Sequence, residues 1–147
     1  MKRIRIFGCS TNQVLKEELR FAVSFFISQL IPRKRILDLS VSLIPELCNQ
    51  YGVYGECWEN DSHVFNIRLD KDLNRSELIK TLGHEMVHVK QFSRRELQFG
   101  CGKDRWFGKE YPITTPYSRQ PWEKEALKLE KKLYLDYLQY KLNLKHA

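Results

Sequence analysis

Three stretches of the chain carry apolar residues at three- and four-residue spacing, the pattern of an amphipathic helix. The first covers residues 12–31 and is stopped by Pro32. The second covers residues 74–92 and opens with an Asn and a Glu in capping-box spacing. The third starts at Pro121, a favoured first-turn residue. It carries an apolar stripe made of Trp122, Ala126, Leu129, Leu133, Tyr137, Tyr140 and Leu144.

Alternating apolar and polar residues predict short strands between these helices. Ile4 and Ile6 alternate with arginines, and residues 37–43 alternate Leu or Val with Asp or Ser. The segments 54–59 and 63–70 flank a short polar turn, which predicts a hairpin.

Residues 95–120 show no clear periodicity, and we expect a long, mostly irregular loop there. The order along the chain is then strand, helix, strand, hairpin, helix, loop and helix. This order predicts an α+β fold with a small, mostly antiparallel or mixed sheet. We expect residues 1–147 to form one domain, since 147 residues is an ordinary size for a single domain.

The second predicted helix contains the sequence His-Glu-Met-Val-His at positions 84–88. At about 100° per residue, His88 lies roughly 40° around the axis from His84 and one turn along it, so both imidazoles can bind one metal ion. Glu85 lies beside the pair, where it can reach a water molecule without ligating the ion. The H-E-x-x-H spacing predicts a zinc site with two neutral nitrogens, a third protein ligand and an open position for water.

The third ligand must come from elsewhere in the chain, and the start of the last predicted helix offers Glu123 and Glu125. The two lie about 200° apart around the helix, so only one can face the metal. They flank opposite edges of the apolar stripe, and periodicity alone does not choose between them.

An H-E-x-x-H helix followed by a glutamate on a later helix resembles the zincin metallopeptidases of the gluzincin type. In that group the ligand glutamate is commonly followed three positions on by a small residue, which fits Glu123 with Ala126, whereas Glu125 would put Lys128 there. The segments TLGHEMVHVKQF, WFGKEY and PYSRQPWEKEA also resemble small phage-encoded and bacterial proteins of the SprT-like and minigluzincin kind. The resemblance covers roughly residues 60–130.

The resemblance implies a zincin-like fold in which the C-terminal helix carries the third ligand, Glu123, with Glu125 as the alternative. It implies a Zn²⁺-dependent endopeptidase that acts on peptides or proteins, with Glu85 as general base and acid. The loop between the two ligand helices offers Tyr117 and Tyr111 as donors to the oxyanion of the tetrahedral intermediate, and the alternative is that either one packs in the loop with Trp106. In zincins the strand that corresponds to residues 54–59 pairs with an extended substrate, and the alternative here is an ordinary surface strand.

Two features depart from these families. Many gluzincins have an acidic residue four positions after the ligand glutamate that orients a histidine, and this chain has Leu127 there. Neither Glu125 nor Asp136 can be assigned to that role from the sequence. SprT-type proteins often add a cysteine-based zinc ribbon, but the four cysteines here lie far apart without a CxxC pair.

The net charge of +7 suggests a second hypothesis, because +6 of it falls in residues 89–147. A nucleic-acid-associated protein would bind through the basic C-terminal part, and its zinc site would be recruited to DNA-bound proteins or be structural. Acidic residues interleave with these lysines, as on ordinary solvated helices. The lysines concerned are Lys124, Lys128, Lys131, Lys132, Lys141 and Lys145.

The N-terminal residues lack the apolar core of a signal peptide. The most apolar segment, residues 21–31, is too short and too polar to span a bilayer. We therefore expect a cytoplasmic protein without membrane contact that acts as a monomer.

Overall fold

The computed structural model describes residues 1–147 as an α+β fold with four α-helices and seven strands, which confirms the predicted class. A short 3₁₀ helix, Tyr117–Arg119, precedes the last helix. The elements are β1 (Lys2–Phe7), α1 (Gln13–Leu30), β2 (Leu37–Ile44), α2 (Leu47–Tyr51), β3 (Gly55–Asp61), β4 (Val64–Asp70), α3 (Arg75–Ser93), β5 (Leu97–Phe99), β6 (Lys103–Trp106), β7 (Lys109–Pro112) and α4 (Pro121–Lys145).

The first four strands form one mixed sheet in the order β1-β2-β4-β3. β1, β2 and β4 run parallel, and β3 pairs antiparallel with β4 as the predicted hairpin. The alternating residues Leu37, Leu39, Val41 and Leu43 of β2 point to one face and are buried, as their alternation predicted. β3 lies at the edge of the sheet, so one side of its backbone has no neighbouring strand.

Helices α1 and α3 cover the apolar face of this sheet, and 29 buried apolar residues, drawn mainly from the sheet, these two helices and α4, form one cluster. The predicted buried side of α3, Leu82, Met86 and Val89, is fully buried. Gly83 lets α1 approach closely, because a Cβ there would lie 3.3 Å from Cζ of Phe26. Helix α3 begins where its capping residue predicted, since Oδ1 of Asn74 accepts the backbone N–H of Glu77, and Asn12 caps α1 in the same way by accepting from Leu15.

The expectation of an irregular loop at residues 95–120 is wrong. β5, β6 and β7 form a second, antiparallel sheet in that order. Each of these strands has only three or four residues, so none spans enough positions to show alternation. The small sheet is fixed by aromatic contacts of Trp106 and Tyr111 with Trp122 at the start of α4. The five-residue helix α2 was not predicted either.

Helix α4 packs against α3 and α1, and its apolar stripe is buried only in part. Trp122, Ala126, Leu133 and Tyr137 are buried, whereas the stripe becomes exposed beyond Tyr137. Tyr137 contacts three phenylalanines of α1. None of the helices combines the length and the apolar character that crossing a bilayer requires.

Candidate metal centre

Helices α3 and α4 bring His84, His88 and Glu123 together, with their ligand atoms within 4.8 Å of one another. Nε2 of His84 lies 3.0 Å from Oε2 of Glu123, and Nε2 of His88 lies 3.1 Å from Oε1 of the same carboxylate. The two imidazole rings are 5.0 Å apart between centroids. The three residues share this geometry because the histidines lie one turn apart on α3 and Glu123 lies in the first turn of α4.

The other ring nitrogen of each histidine has its own acceptor. Nδ1 of His84 donates to Oε2 of Glu130 at 3.1 Å, and Nδ1 of His88 donates to Oε1 of Gln91 at 2.8 Å. These acceptors hold the hydrogen on Nδ1 and orient both rings so that Nε2 points at Glu123.

Glu125 does not join the cluster. Its Oε1 accepts from Nζ of Lys90 at 2.8 Å and from Nε2 of Gln91 at 3.1 Å. Gln91 also donates to the backbone carbonyl of Trp122 at 2.9 Å. Because Gln91 bonds His88, Glu125 supports the centre through this amide instead of contributing an oxygen to it.

The donor set fits zinc. Two imidazole nitrogens and one carboxylate oxygen are a usual ligand set of catalytic Zn²⁺, which needs bonds of about 2.0–2.2 Å and keeps a fourth position open. Each histidine also has an oxygen acceptor behind its ring, as metal-bound histidines almost always do. His84, His88 and Glu123 would therefore hold the ion.

Electrostatics of the histidine–glutamate cluster favour its charged form in the metal-free chain. Burial opposes the charge on His84, but hydrogen bonds to Glu123 and Glu130 raise its pKa to about 10. The pKa of His88 is raised as well, since Glu123 and Glu85 outweigh the effect of burial. Burial also opposes the charge on Glu123, yet its two histidine partners hold its pKa well below the ordinary value.

Glu85 of α3 is 5% exposed, and its side chain lies against the edge strand β3. A Cβ added at Gly55 of that strand would lie 3.0 Å from Oε1 of Glu85, so the carboxyl group fits against bare glycine backbone. Burial raises the pKa of Glu85 to about 7, although the two histidines lower it and Glu123 raises it further. A carboxyl group with a pKa near 7 suits proton transfer at neutral pH.

These residues line a cleft of about 520 Å³. The lining includes the segment Gly52–Cys57, which contains the start of β3, and the apolar residues Phe92, Leu97 and Phe99. Tyr117 lines the cleft and is 54% exposed. Burial of its hydroxyl and the charge of Glu123 raise its pKa. Tyr111 instead packs edge-on against Trp122 and is not among the lining residues.

Two polar residues of the centre, Glu130 and Gln91, were missed by the sequence analysis. Glu130 lies seven residues after Glu123, which is nearly two full turns of α4, and so shares its face. Gln91 lies three residues after His88 on α3 and shares the face of that histidine. In the sequence, only the helical spacing of Glu130 from Glu123 and of Gln91 from His88 points to these two residues. Asp136 lies elsewhere, paired with Lys132 at 2.6 Å.

The lysines of the C-terminal part form a mixed surface. Lys132 pairs with Asp136, and Lys141 pairs with Glu18 of α1 at 2.7 Å. The other four, Lys124, Lys128, Lys131 and Lys145, are exposed and make no ion pair. They are spread over a helix of 25 residues.

No protein-family profile, no curated protein and no solved structure matches the chain.

Replacing Gly55 by Ala should destabilise the protein by about 1–3 kcal/mol, the usual cost of overpacking. The new Cβ would lie 2.7 Å from Cγ2 of Thr81. Thr81→Ser removes that methyl group, so the double variant should recover about 1 kcal/mol of the loss. Urea unfolding of the wild type, both single variants and the double variant measures this coupling. Strictly additive losses would contradict the close contact between β3 and α3.

The metal-free protein should lose stability as the pH rises from 7 to 10. The pKa of His84 in the folded chain, about 10, exceeds its ordinary value of 6.5. Its protonated form therefore stabilises the fold fully below pH 6.5, and this contribution disappears as the pH rises through 10. In Glu130→Gln one cause of the raised pKa is removed, so the decline should end at a lower pH and be smaller. Urea unfolding at several pH values with a chelator present tests this, and identical profiles for the two proteins would refute it.

Proposed function

We propose that the protein is a zinc-dependent peptide hydrolase of the zincin type. The observation that carries this proposal is the convergence of His84, His88 and Glu123 next to the buried Glu85, at the floor of an open cleft. A structural zinc site would be closed by a fourth protein ligand. The His/Cys/Asp/Glu cluster here consists of these three ligands alone, which favours a catalytic role.

In the proposed reaction His84, His88 and Glu123 hold Zn²⁺, which supplies Lewis-acid polarisation of a carbonyl group and of a water molecule. The carboxylate of Glu85 accepts the proton of the attacking water and then donates it to the leaving amine. Burial suits Glu85 to both steps, because it raises the pKa of this carboxyl group in the metal-free chain and so favours a group that can hold a proton as well as release it.

The carboxylate of Glu130 orients a histidine, as a carboxylate does in many gluzincins, but it comes from a different position on the helix. This contact supports the resemblance to gluzincins and SprT-like proteins. The position four residues after Glu123 holds Leu127, which cannot orient a histidine. Glu130 contacts Nδ1 of His84 from the next turn of the same helix. A carboxylate that orients a histidine is therefore available from a different position on α4.

The edge strand β3 supports a peptide as the substrate. Its free side borders the cleft beside Glu85, and residues 53–57 line the cleft wall. An extended peptide can add to such an edge through backbone hydrogen bonds, which would carry its scissile bond past the metal centre. Tyr117 lines the same cleft and is the candidate donor to the oxyanion.

Zinc content should distinguish the two glutamates at the start of α4. Glu123→Ala should lose zinc, whereas Glu125→Ala should retain about one equivalent, because its carboxylate faces Lys90 and Gln91. Glu130→Gln should weaken zinc affinity by about 10- to 100-fold, the usual cost of losing the carboxylate that orients a metal-bound histidine. Elemental analysis and titration with a competing chelator measure both effects. Loss of zinc in Glu125→Ala but not in Glu123→Ala would overturn the ligand assignment.

Glu85→Gln should keep its zinc while peptide hydrolysis falls by about 10²- to 10⁴-fold, because an amide cannot accept the proton of water. Mass spectrometry of a mixed peptide library incubated with the zinc-loaded protein gives the rate. Glu77→Gln is the matched control, since Glu77 is an exposed carboxylate of the same helix that does not line the cleft and pairs with Lys80. It should retain most of the hydrolysis. Undiminished hydrolysis by Glu85→Gln would refute the mechanism.

A further inference from the structure

One side of helix α4 is exposed along its whole length. At about 100° per residue, nine exposed residues lie within roughly 60° of the direction opposite the buried Leu133. They comprise four leucines, four lysines and one glutamine, and we call them the outer face of α4. Its members are Lys124, Leu127, Lys128, Lys131, Leu135, Leu138, Gln139, Leu142 and Lys145.

Three leucines form an exposed row on the C-terminal half of this face. Leu135, Leu138 and Leu142 are 55%, 42% and 49% exposed, and their spacing of three and four residues makes them neighbours on the helix. A single exposed leucine is ordinary on a protein surface, but a row at this spacing is how a helix presents an apolar contact to another helix.

The lysines of the outer face have no acidic partner within the chain, since none of the four makes an ion pair. All acidic residues of α4 lie off this face and already contact other groups. Each of them has a carboxylate oxygen within 3.1 Å of a histidine or lysine nitrogen: Glu123, Glu125, Glu130 and Asp136. The positive charge of the outer face is therefore left for a group outside the chain.

We propose that the outer face of α4 docks an acidic amphipathic helix of a partner protein. Leucines of the partner would pack against the row at Leu135, Leu138 and Leu142, and its carboxylates would pair with the lysines. Three of the four lysines lie in the N-terminal half of α4 and the leucine row lies in the C-terminal half. The partner helix should therefore carry its acidic and its apolar residues in separate turns of one face.

A second copy of this chain fits the outer face poorly. Lys131 and Lys145 each lie seven residues from Leu138, so an antiparallel pair of α4 helices centred on Leu138 would place Lys131 opposite Lys145 of the second copy. A parallel pair would place every lysine beside its own equivalent. Since the face carries no acidic residue, both arrangements bring like charges together, which costs free energy.

A lipid surface and a nucleic acid each match only half of the face. Lys131 lies eleven residues before Leu142, which is about three turns, so both side chains point in the same direction. A helix that lies in a membrane interface separates its lysines from its apolar face, which this helix does not do. Phosphates would pair with the lysines but would leave the leucine row in water. A protein helix with both kinds of residue satisfies both.

The outer face adjoins the candidate metal centre through Leu127, which also lines the cleft. If the proposed hydrolase activity holds, a protein docked on α4 would have its neighbouring segments beside the cleft. Docking itself requires neither zinc nor Glu85, so this proposal and the proposed hydrolase activity can fail independently.

The test is fluorescence anisotropy of a labelled synthetic helix of about 21 residues, with leucines in one half of a single face and glutamates in the other half. The full chain should bind this peptide with a Kd below about 100 µM at 50 mM NaCl, as expected of a small transient interface. A scrambled peptide of the same composition, without a common face, should bind at least about tenfold more weakly.

The leucine variant Leu135→Gln, Leu138→Gln, Leu142→Gln should bind the peptide at least about tenfold more weakly, because the apolar contact is lost while glutamine keeps the helix. Its thermal unfolding should stay close to that of the wild type, since these side chains lie outside the core. A matched control replaces three exposed apolar residues of other surfaces and should bind as the wild type does: Val14→Gln, Ile36→Gln and Ile113→Gln.

The lysine variant Lys124→Gln, Lys128→Gln, Lys131→Gln should bind about fivefold more weakly at 50 mM NaCl, and the difference should shrink at 500 mM NaCl because salt screens exposed charges. Its matched control removes the same number of charges from cations without an ion pair elsewhere on the surface: Lys2→Gln, Arg33→Gln and Arg35→Gln. Equal weakening by both variants would overturn the proposal, since net charge alone would then explain binding.

Other results would also refute the docking of an acidic helix. These are equal binding of the scrambled peptide, and no binding of the designed peptide by the wild type at 100 µM. Sedimentation velocity that shows a dimer of the wild type but a monomer of the leucine variant would assign the face to a second copy. Leucine-dependent binding of vesicles with anionic lipid would assign it to a membrane. A marked loss of thermal stability in the leucine variant would show that the row supports the fold instead.

Discussion

The contact between α3 and α4 is the interaction on which the candidate site depends. Glu123 lies between the two imidazoles, and its neighbours Trp122 and Ala126 are buried in the same interface. Ala126 is fully buried, so the small side chain three residues after Glu123 serves the close approach of the helices. A larger residue there would separate the carboxylate from the histidines. Helix packing and the position of Glu123 therefore both require a small residue at position 126 of α4.

A buried polar network makes this contact specific. Gln91 accepts from His88 and donates both to Glu125 and to the carbonyl of Trp122, so one amide joins a ring nitrogen of α3 to two points on α4. Lys90 adds an ion pair to the same Glu125. Buried polar groups cost free energy unless each is paired, and here the pairing requires one relative position of the helices. The network thus orients His88 and excludes alternative packings of α4.

Much of this arrangement could be predicted from the sequence because it follows from helical periodicity. The H-E-x-x-H spacing predicted the shared face of His84 and His88, and the alternation in β2 predicted its buried side. Periodicity does not reveal which residues of different helices meet, and so it could not separate Glu123 from Glu125 or identify Glu130. The strands β5, β6 and β7 were beyond reach for another reason. They are too short to carry a pattern, and contacts with Trp122, distant in the sequence, stabilise them.

The sequence likewise does not reveal which charged residues meet in the folded protein. Counting charges along the chain directs attention to the last two-fifths, where the basic excess lies. In the folded protein part of that excess is neutralised by carboxylates, such as Asp136 beside Lys132 and Glu18 beside Lys141. Other cations without an ion pair include Lys2 and Arg33 and Arg35 of the loop after α1, which lie far from each other in sequence and adjoin in space because β1 and β2 are parallel neighbours. Parallel pairing brings the amino ends of strands together, so it gathers charges that a linear count leaves dispersed. Strand topology, and not position along the chain, therefore decides which of these charges are neighbours in the folded protein.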